Sequence, residues 1–300
     1  MKQKFNTMQF IKCLYSRFRE DDVPALGAQL TYYLILSFFP FLIFMVSLLS
    51  FIEMSGDSVI AEFIRLLPAE ASDTISGILA EVVDNSSGTL LSIGMIATIW
   101  SASNGINAIL KGLNKAYDVE EKRPFWKVRG ISLLSTIFLV VVIVLVMVML
   151  IFGKAIGEYL FKWLDYPNGF EWIWNVLKYV IPISAMIGAF SLLYWIVPNR
   201  RLSLKEAVPG ALFATFGWIA TSLVFQFYMN NFGNYSKTYG SLGGVIILLI
   251  WLYISSILIM LGGEINATLA SAKSNIPPNN SARHRFRIPL NQNKDIKTIT

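Results

Sequence analysis

Trp100, Asn104, Asn107, Lys111 and Asn114 recur at spacings of 4, 3, 4 and 3, which puts them on one face of a helix as a continuous polar stripe. Inside a membrane such side chains must find protein or water, because lipid offers them no hydrogen bonds. The stripe therefore reads either as one wall of a solute path or as an interhelical hydrogen-bond seam, the latter worth about 0.6 kcal/mol per bond. A second polar concentration is QFYMNNFGNYSKTYGSLGG, residues 226–244, which includes Gln226, Asn230 and Tyr235. This density of Asn, Tyr, Ser and Gly suits a bent or partly unwound backbone lining a cavity. It equally suits a tight polar hairpin with Gly240 and Gly244 four apart. The third is Gly262-Gly263-Glu264-Ile265-Asn266, where an ionisable group at a span boundary could relay protons, pair with a basic loop residue, or simply sit at the aqueous edge. Trp100, Asn104, Asn107, Lys111, Gln226, Asn230, Tyr235, Glu264 and Asn266 are thus the candidate cavity-lining residues.

Enzymatic patterns are missing. The chain has no GxxxxGK[ST], GxGxxG, HExxH, GxSxG or CxxC. One Cys (Cys13) and one His (His284) exclude an internal disulfide and a histidine metal cluster, so no catalytic residue, cofactor or metal is expected.

The elements that must position these residues are membrane helices. Of 300 residues 55% are hydrophobic and only 15% charged, with a mean hydropathy of +0.56, beyond what a water-soluble surface tolerates. Six uncharged runs are each long enough to cross a bilayer, and they predict spans at 28–52, 90–110, 131–152, 178–197, 208–230 and 241–263. The expected fold class is all-α, a polytopic membrane protein of six transmembrane helices. With both termini inside, 20 of the 25 Lys and Arg fall on the cytoplasmic side and 5 outside, the asymmetry that sets orientation. The net charge of +6 is then explained by topology and anionic lipid, and no nucleic acid is needed as a partner.

Outside the spans, residues 1–22 form a cytoplasmic segment whose stripe Phe10, Ile11, Leu14, Tyr15 and Phe18, with Lys12, Arg17 and Arg19 off it, suits a helix in the inner interface or packed on the bundle. No cleavable signal peptide is expected, since the first apolar run is itself long enough to span. The outer loop 53–89 is acidic and reads as a helical pair broken at Pro68. Residues 268–300 read as a disordered cytoplasmic tail after the transmembrane domain 23–267. IFLVVVIVLVMVMLI, residues 137–151, has nothing polar and is expected to face lipid, whereas Gly210, Ala214, Gly217 and Thr221 form a small-residue face for close helix contact.

Several of these stretches together resemble the YihY/BrkB family of bacterial inner-membrane proteins, once labelled ribonuclease BN. The segments are ALGAQLTYYLILSFFPFLIF (25–44), WSASNGINAILKGLNKAYDVEEKRPFW (100–126), LYWIVPNRR (193–201) and the long run 208–267, in which NYSKTYGSLGGVIILLIWLY is the most specific. The resemblance implies six helices, cytoplasmic termini, a bacterial plasma-membrane location and transport of an envelope lipid or solute. A nuclease reading conflicts with the chemistry, because metal-assisted phosphodiester hydrolysis wants clustered ligands that this chain does not offer. The leading expectation is a transporter or flippase-like protein, with a lipid or small solute moving through a cavity lined by the second, fifth and sixth spans. The alternative is a scaffold acting through partners docked on the acidic outer loop; a membrane-embedded enzyme comes last. Membrane lipids are the expected partners, and a homo-oligomer fits either reading.

Overall fold

The computed structural model describes residues 7–51, 88–163, 170–232 and 242–274. The expected outer helical pair, Tyr235 and the tail beyond residue 274 lie outside the described residues. Those described form helices α1 (Thr7–Glu20), α2 (Val23–Phe51), α3 (Gly88–Ala116), α4 (Phe125–Trp163), α5 (Phe170–Ile196), α6 (Leu204–Phe232) and α7 (Leu242–Ser274). No strand occurs among them.

Long uninterrupted apolar runs leave the backbone no hydrogen-bonding option but its own helix, which is why these segments are helical well past the expected boundaries. A 29-residue helix such as α3 is about 43 Å long, more than the roughly 30 Å of a hydrocarbon core. Five stretches among the described residues are long and apolar enough to cross a membrane, at Ser92–Ala116, Phe125–Leu150, Trp172–Ile196, Leu204–Met229 and Val245–Ala272. Helix α2 adds a shorter apolar stretch, Val23–Phe38.

The six long helices close into a ring in chain order: each packs on the next, α7 returns to α2, and α7 also reaches α3. Helix α1 lies across α7 and α2. Burial is concentrated at the α1 end, where Val23, Leu30, Leu110, Leu113, Tyr194, Val197 and Ala211 form one core. On α4, the apolar Val141, Ile143, Val144, Leu145 and Val148 are exposed, as expected of a lipid-facing helix.

The α6–α7 crossing is the closest. A Cβ at Gly210 would collide with the Gly262 carbonyl oxygen, Ala214 is 1% exposed, and a Cβ at Gly217 would stand 3.2 Å from Leu258. The small-residue face of α6 therefore meets α7, as its spacing predicts.

Two expectations need correction. Arg17, placed off the apolar stripe of α1, is its most deeply buried residue at 2% exposure, while Met8, Ile11 and Tyr15 are exposed. The polar residue is drawn inward because its partners lie there. Helix α7 also continues through 268–274, expected as tail, since Thr268 is fully buried and Ala267 and Ala270 pack on Tyr117.

Candidate functional site: a buried charge cluster and a polar helix face

Three turns converge at the α1 end. After α3 the chain stops in a Schellman motif, Val119 N–H bonding the Asn114 carbonyl (2.9 Å) and Asp118 N–H bonding that of Lys115 (3.0 Å). The left-handed position of this motif belongs to Asp118 (φ 54), and Asp22, after α1, has the same geometry (φ 53). Glycine suits such backbone best, so an aspartate in each turn exchanges backbone comfort for a carboxylate at a fixed point. Asp22 takes the Lys115 ammonium at 3.0 Å, and Asp118 stands 3.7 Å from the Arg17 guanidinium.

Arg17 also donates to the Ala116 carbonyl and, at 3.3 Å, to Ser271 Oγ, so one side chain ties α1 to the ends of α3 and α7. Beside it are two more buried acids. Asp21 is 4% exposed and Glu264 2%, and their carboxyls meet in hydrogen-bonding contact. The second oxygen of each, Asp21 Oδ2 and Glu264 Oε2, has no partner, and neither has the Tyr117 hydroxyl. Burial, with the Asp118 charge adding, pushes the Asp21 carboxyl up to about 6. Burial likewise raises Asp118 above the usual carboxylate range, opposed by Arg17, and raises the Tyr117 phenol, over whose ring Arg200 lies at 5.3 Å. Three carboxylates share one guanidinium in a largely dry site.

Next to it Asn114 fastens two connections together. It donates to Glu121 (2.9 Å) and accepts from the Asn199 backbone (2.7 Å), while Arg123 grips Glu121 and the Val197 carbonyl (3.0 Å). The Arg123 bonds foremost hold the Glu121 carboxyl down at about 2.

The stripe on α3 divides. Trp100 (60% exposed) and Lys111 are exposed, Asn104 and Asn107 half-buried, and Asn114 buried in the turn network. Asn104 Oδ1 accepts from Arg129 Nη1 at 2.6 Å, and the same guanidinium stacks 4.1 Å over the Trp100 ring. The stripe's upper half is thus a polar contact with α4, one of the two most exposed spans, whereas the expectation joined it to the fifth and sixth spans. Gln226 is exposed, which corrects the expectation that it faces the bundle interior. Asn230 lies within α6. Asn266, 1% exposed, bonds the Gly210 N–H (2.7 Å) and the Ala207 carbonyl (2.9 Å), spanning Pro209 in the α6–α7 seam. Phe225, Tyr228, Met229, Ile247 and Ile250 line an apolar cavity of about 280 Å³ beside Gln226.

Of the expected residues, the structure brings Trp100 and Asn104 together through Arg129, and Glu264 into the charge cluster. Arg17, Asp21, Asp118, Tyr117 and Arg129 escaped the sequence reading. The one available signal was that a lone intramembrane carboxylate, Glu264, needs a partner. No group of three or more His, Cys, Asp or Glu side chains among the described residues could hold a metal.

Comparison with known proteins places these features in a family. The family model described as Virulence factor BrkB matches residues 14–285. A Bacillus subtilis (strain 168) protein named as ribonuclease-like, YfkH, is 44% identical over 266 residues, covering 89% of this chain and 97% of that one. A protein of Pseudoalteromonas atlantica named UPF0761 membrane protein is 27% identical over 261 residues (85% and 84% covered). One of Vibrio atlanticus with the same name is 28% identical over 280 residues (89% and 84%). No solved structure matches the chain.

Proposed function

The chain belongs to the BrkB family of bacterial multi-pass membrane proteins, and on that premise we propose that it moves a phospholipid-type amphiphile between the leaflets of the cell membrane, its α1 end in the cytoplasm. The observation that carries this reading is the Trp100–Asn104–Arg129 arrangement on the α3–α4 flank. Arg129 stands in the second turn of α4, at the cytoplasmic end of that span, where a basic side chain faces the anionic headgroups of the inner leaflet. Here it is set between an exposed indole and an amide, beside a helix whose apolar side chains are exposed. Arg129 Nε and Nη2 are buried there without a partner, and a headgroup that displaced the indole would meet them while the acyl chains stay in lipid, which a water-soluble solute would not require. Lys111, exposed and seven residues on from Asn104, continues the same face of α3.

The test is lipid sidedness. Purified full-length protein is reconstituted into phosphatidylcholine–phosphatidylglycerol vesicles carrying a trace of fluorescent phospholipid, and a membrane-impermeant reductant is added. The fluorescence protected in the inner leaflet of protein-free vesicles should become accessible when the protein is present, and Arg129→Ala should slow that loss. Wild-type vesicles that protect as much label as protein-free ones would refute the reading and favour a scaffold acting through partners. Hydrolysis forms no part of the proposal: a nuclease would have to show RNA cleavage that copurifies with the chain and disappears on a single Asp or Glu substitution.

A further inference from the structure

We propose that the Asp21–Glu264 carboxyl pair, at the junction of α1, α2, α3 and α7, is a proton-binding site that takes up and releases one proton as a unit. Two carboxyls in contact, each at least nineteen-twentieths buried, cannot both be ionised without a like-charge repulsion that the dry surroundings do not screen. One proton bound to either oxygen supplies the donor that the contact requires, and its loss leaves two facing anions.

The groups around the pair do not neutralise the second charge. From α1 comes Arg17, already committed to Ala116, Ser271 and Asp118. From α3 and the turn after it come Lys115, which pairs with Asp22, and Asp118 and Tyr117. From beyond α5 come Arg200, over the Tyr117 ring, and Glu206 on α6, both felt at Tyr117. Among the described residues Arg17 is the cation within the cluster, with Lys115 acting on Asp21 from its pair with Asp22, against three carboxylates. Independently of the acids, the Tyr117 hydroxyl, 5% exposed and unpartnered, lies near enough to interact with Glu264, and Thr268 Oγ1, fully buried and unpartnered, follows one turn later on α7. These are the uncharged polar groups through which a proton, or a water carrying it, could pass.

The site has a mechanical consequence. Asp21 lies two residues before α2, whose first residue, Val23, is fully buried. With the proton bound the turn stays docked on α7. With it lost, repulsion pushes the turn and the start of α2 away from Glu264, at the point where the first and last long helices close the ring.

The experiment is infrared titration of purified full-length protein, following the carbonyl stretch of protonated carboxyls from about pH 5 to about pH 9. One such band should disappear as pH rises. Its midpoint should fall in Asp21→Asn and in Glu264→Gln alike, because either substitution removes the facing charge, and should move less in Asp118→Asn. The proposal is overturned if the wild type has no titrating band, if either pair substitution leaves the midpoint where it was, or if replacing sodium with choline moves it, which would mark a sodium site. Should Glu264→Gln fail to fold, Asp21→Asn decides alone. No transport is measured, so this outcome is separate from that of the lipid proposal.

Discussion

The carboxyl of Asp21, in the turn before α2, meets that of Glu264 on α7, so the first and last long helices are joined through two acids instead of an acid and a base. Arg17 stands beside them without removing the conflict. Ion clusters of this kind are poor stabilisers, since desolvation offsets much of the Coulomb gain.

Asp21→Asn should stabilise the protein at neutral pH. Burial raises the folded-state value of Asp21 from 3.8 to about 6, so the native state holds the proton more tightly than the unfolded chain. Stability from this group is full below about 3.8, falls as pH rises to about 6, and stays low above. The variant's thermal midpoint should exceed the wild type's at pH 7.5, and the two should converge near pH 4. A lower midpoint for the variant at pH 7.5 would contradict the assignment.

Glu121 behaves oppositely. Its carboxyl is held down from 4.5 to about 2, chiefly by Arg123, so its contribution is present above about 4.5 and lost as pH falls towards 2. Glu121→Gln should lower the midpoint at neutral pH and remove that part of the acid sensitivity. Identical acid profiles would show that the Asn114–Glu121–Arg123 fastening contributes nothing.

Asn104→Leu removes the acceptor of Arg129 Nη1. Lipid movement should slow, at a stability cost of about 0.5–2 kcal/mol, too small to unfold a packed bundle. Asn107→Leu, at the half-buried position one turn on, should also leave the fold intact. If both variants move lipid at the wild-type rate, the α3 stripe has no part in transport.

Asn266→Leu removes two hydrogen bonds buried in the α6–α7 seam, from the Gly210 N–H and to the Ala207 carbonyl. Each is worth about 0.5–1.5 kcal/mol. Large losses in midpoint and in membrane yield are expected, and wild-type stability would mean that water or a rearranged helix meets both groups.

Topology can be read without introducing a cysteine. Cys13 on α1 is the only one in the chain, so an impermeant thiol reagent should label it in inverted vesicles and not in intact cells. Reporters at residues 70 and 165 should read as outside. Cytoplasmic signals there would overturn the orientation drawn from the 20 to 5 division of Lys and Arg.

What the sequence by itself determined follows from rules acting within one segment. Apolar runs longer than a bilayer dictate helices, the blank stretch 137–151 marks a lipid-facing surface, and the spacing of Gly210, Ala214 and Gly217 marks a contact face, all three matched in the fold. The stripe from Trp100 to Asn114 was legible as a face but not in its neighbour, because nothing in α3 says whether Arg129 or a residue of α6 will stand opposite. Glu264 was singled out, but Arg17, Asp21 and Asp118, which stand around it, were beyond reach for the same reason. Each of the three is an ordinary charged residue near a helix end, where solvent exposure is the default, and only the packing of α1 across α7 removes the water. Period and length are properties of a segment; burial of a charge, and the partner that makes it tolerable, exist only once distant segments meet.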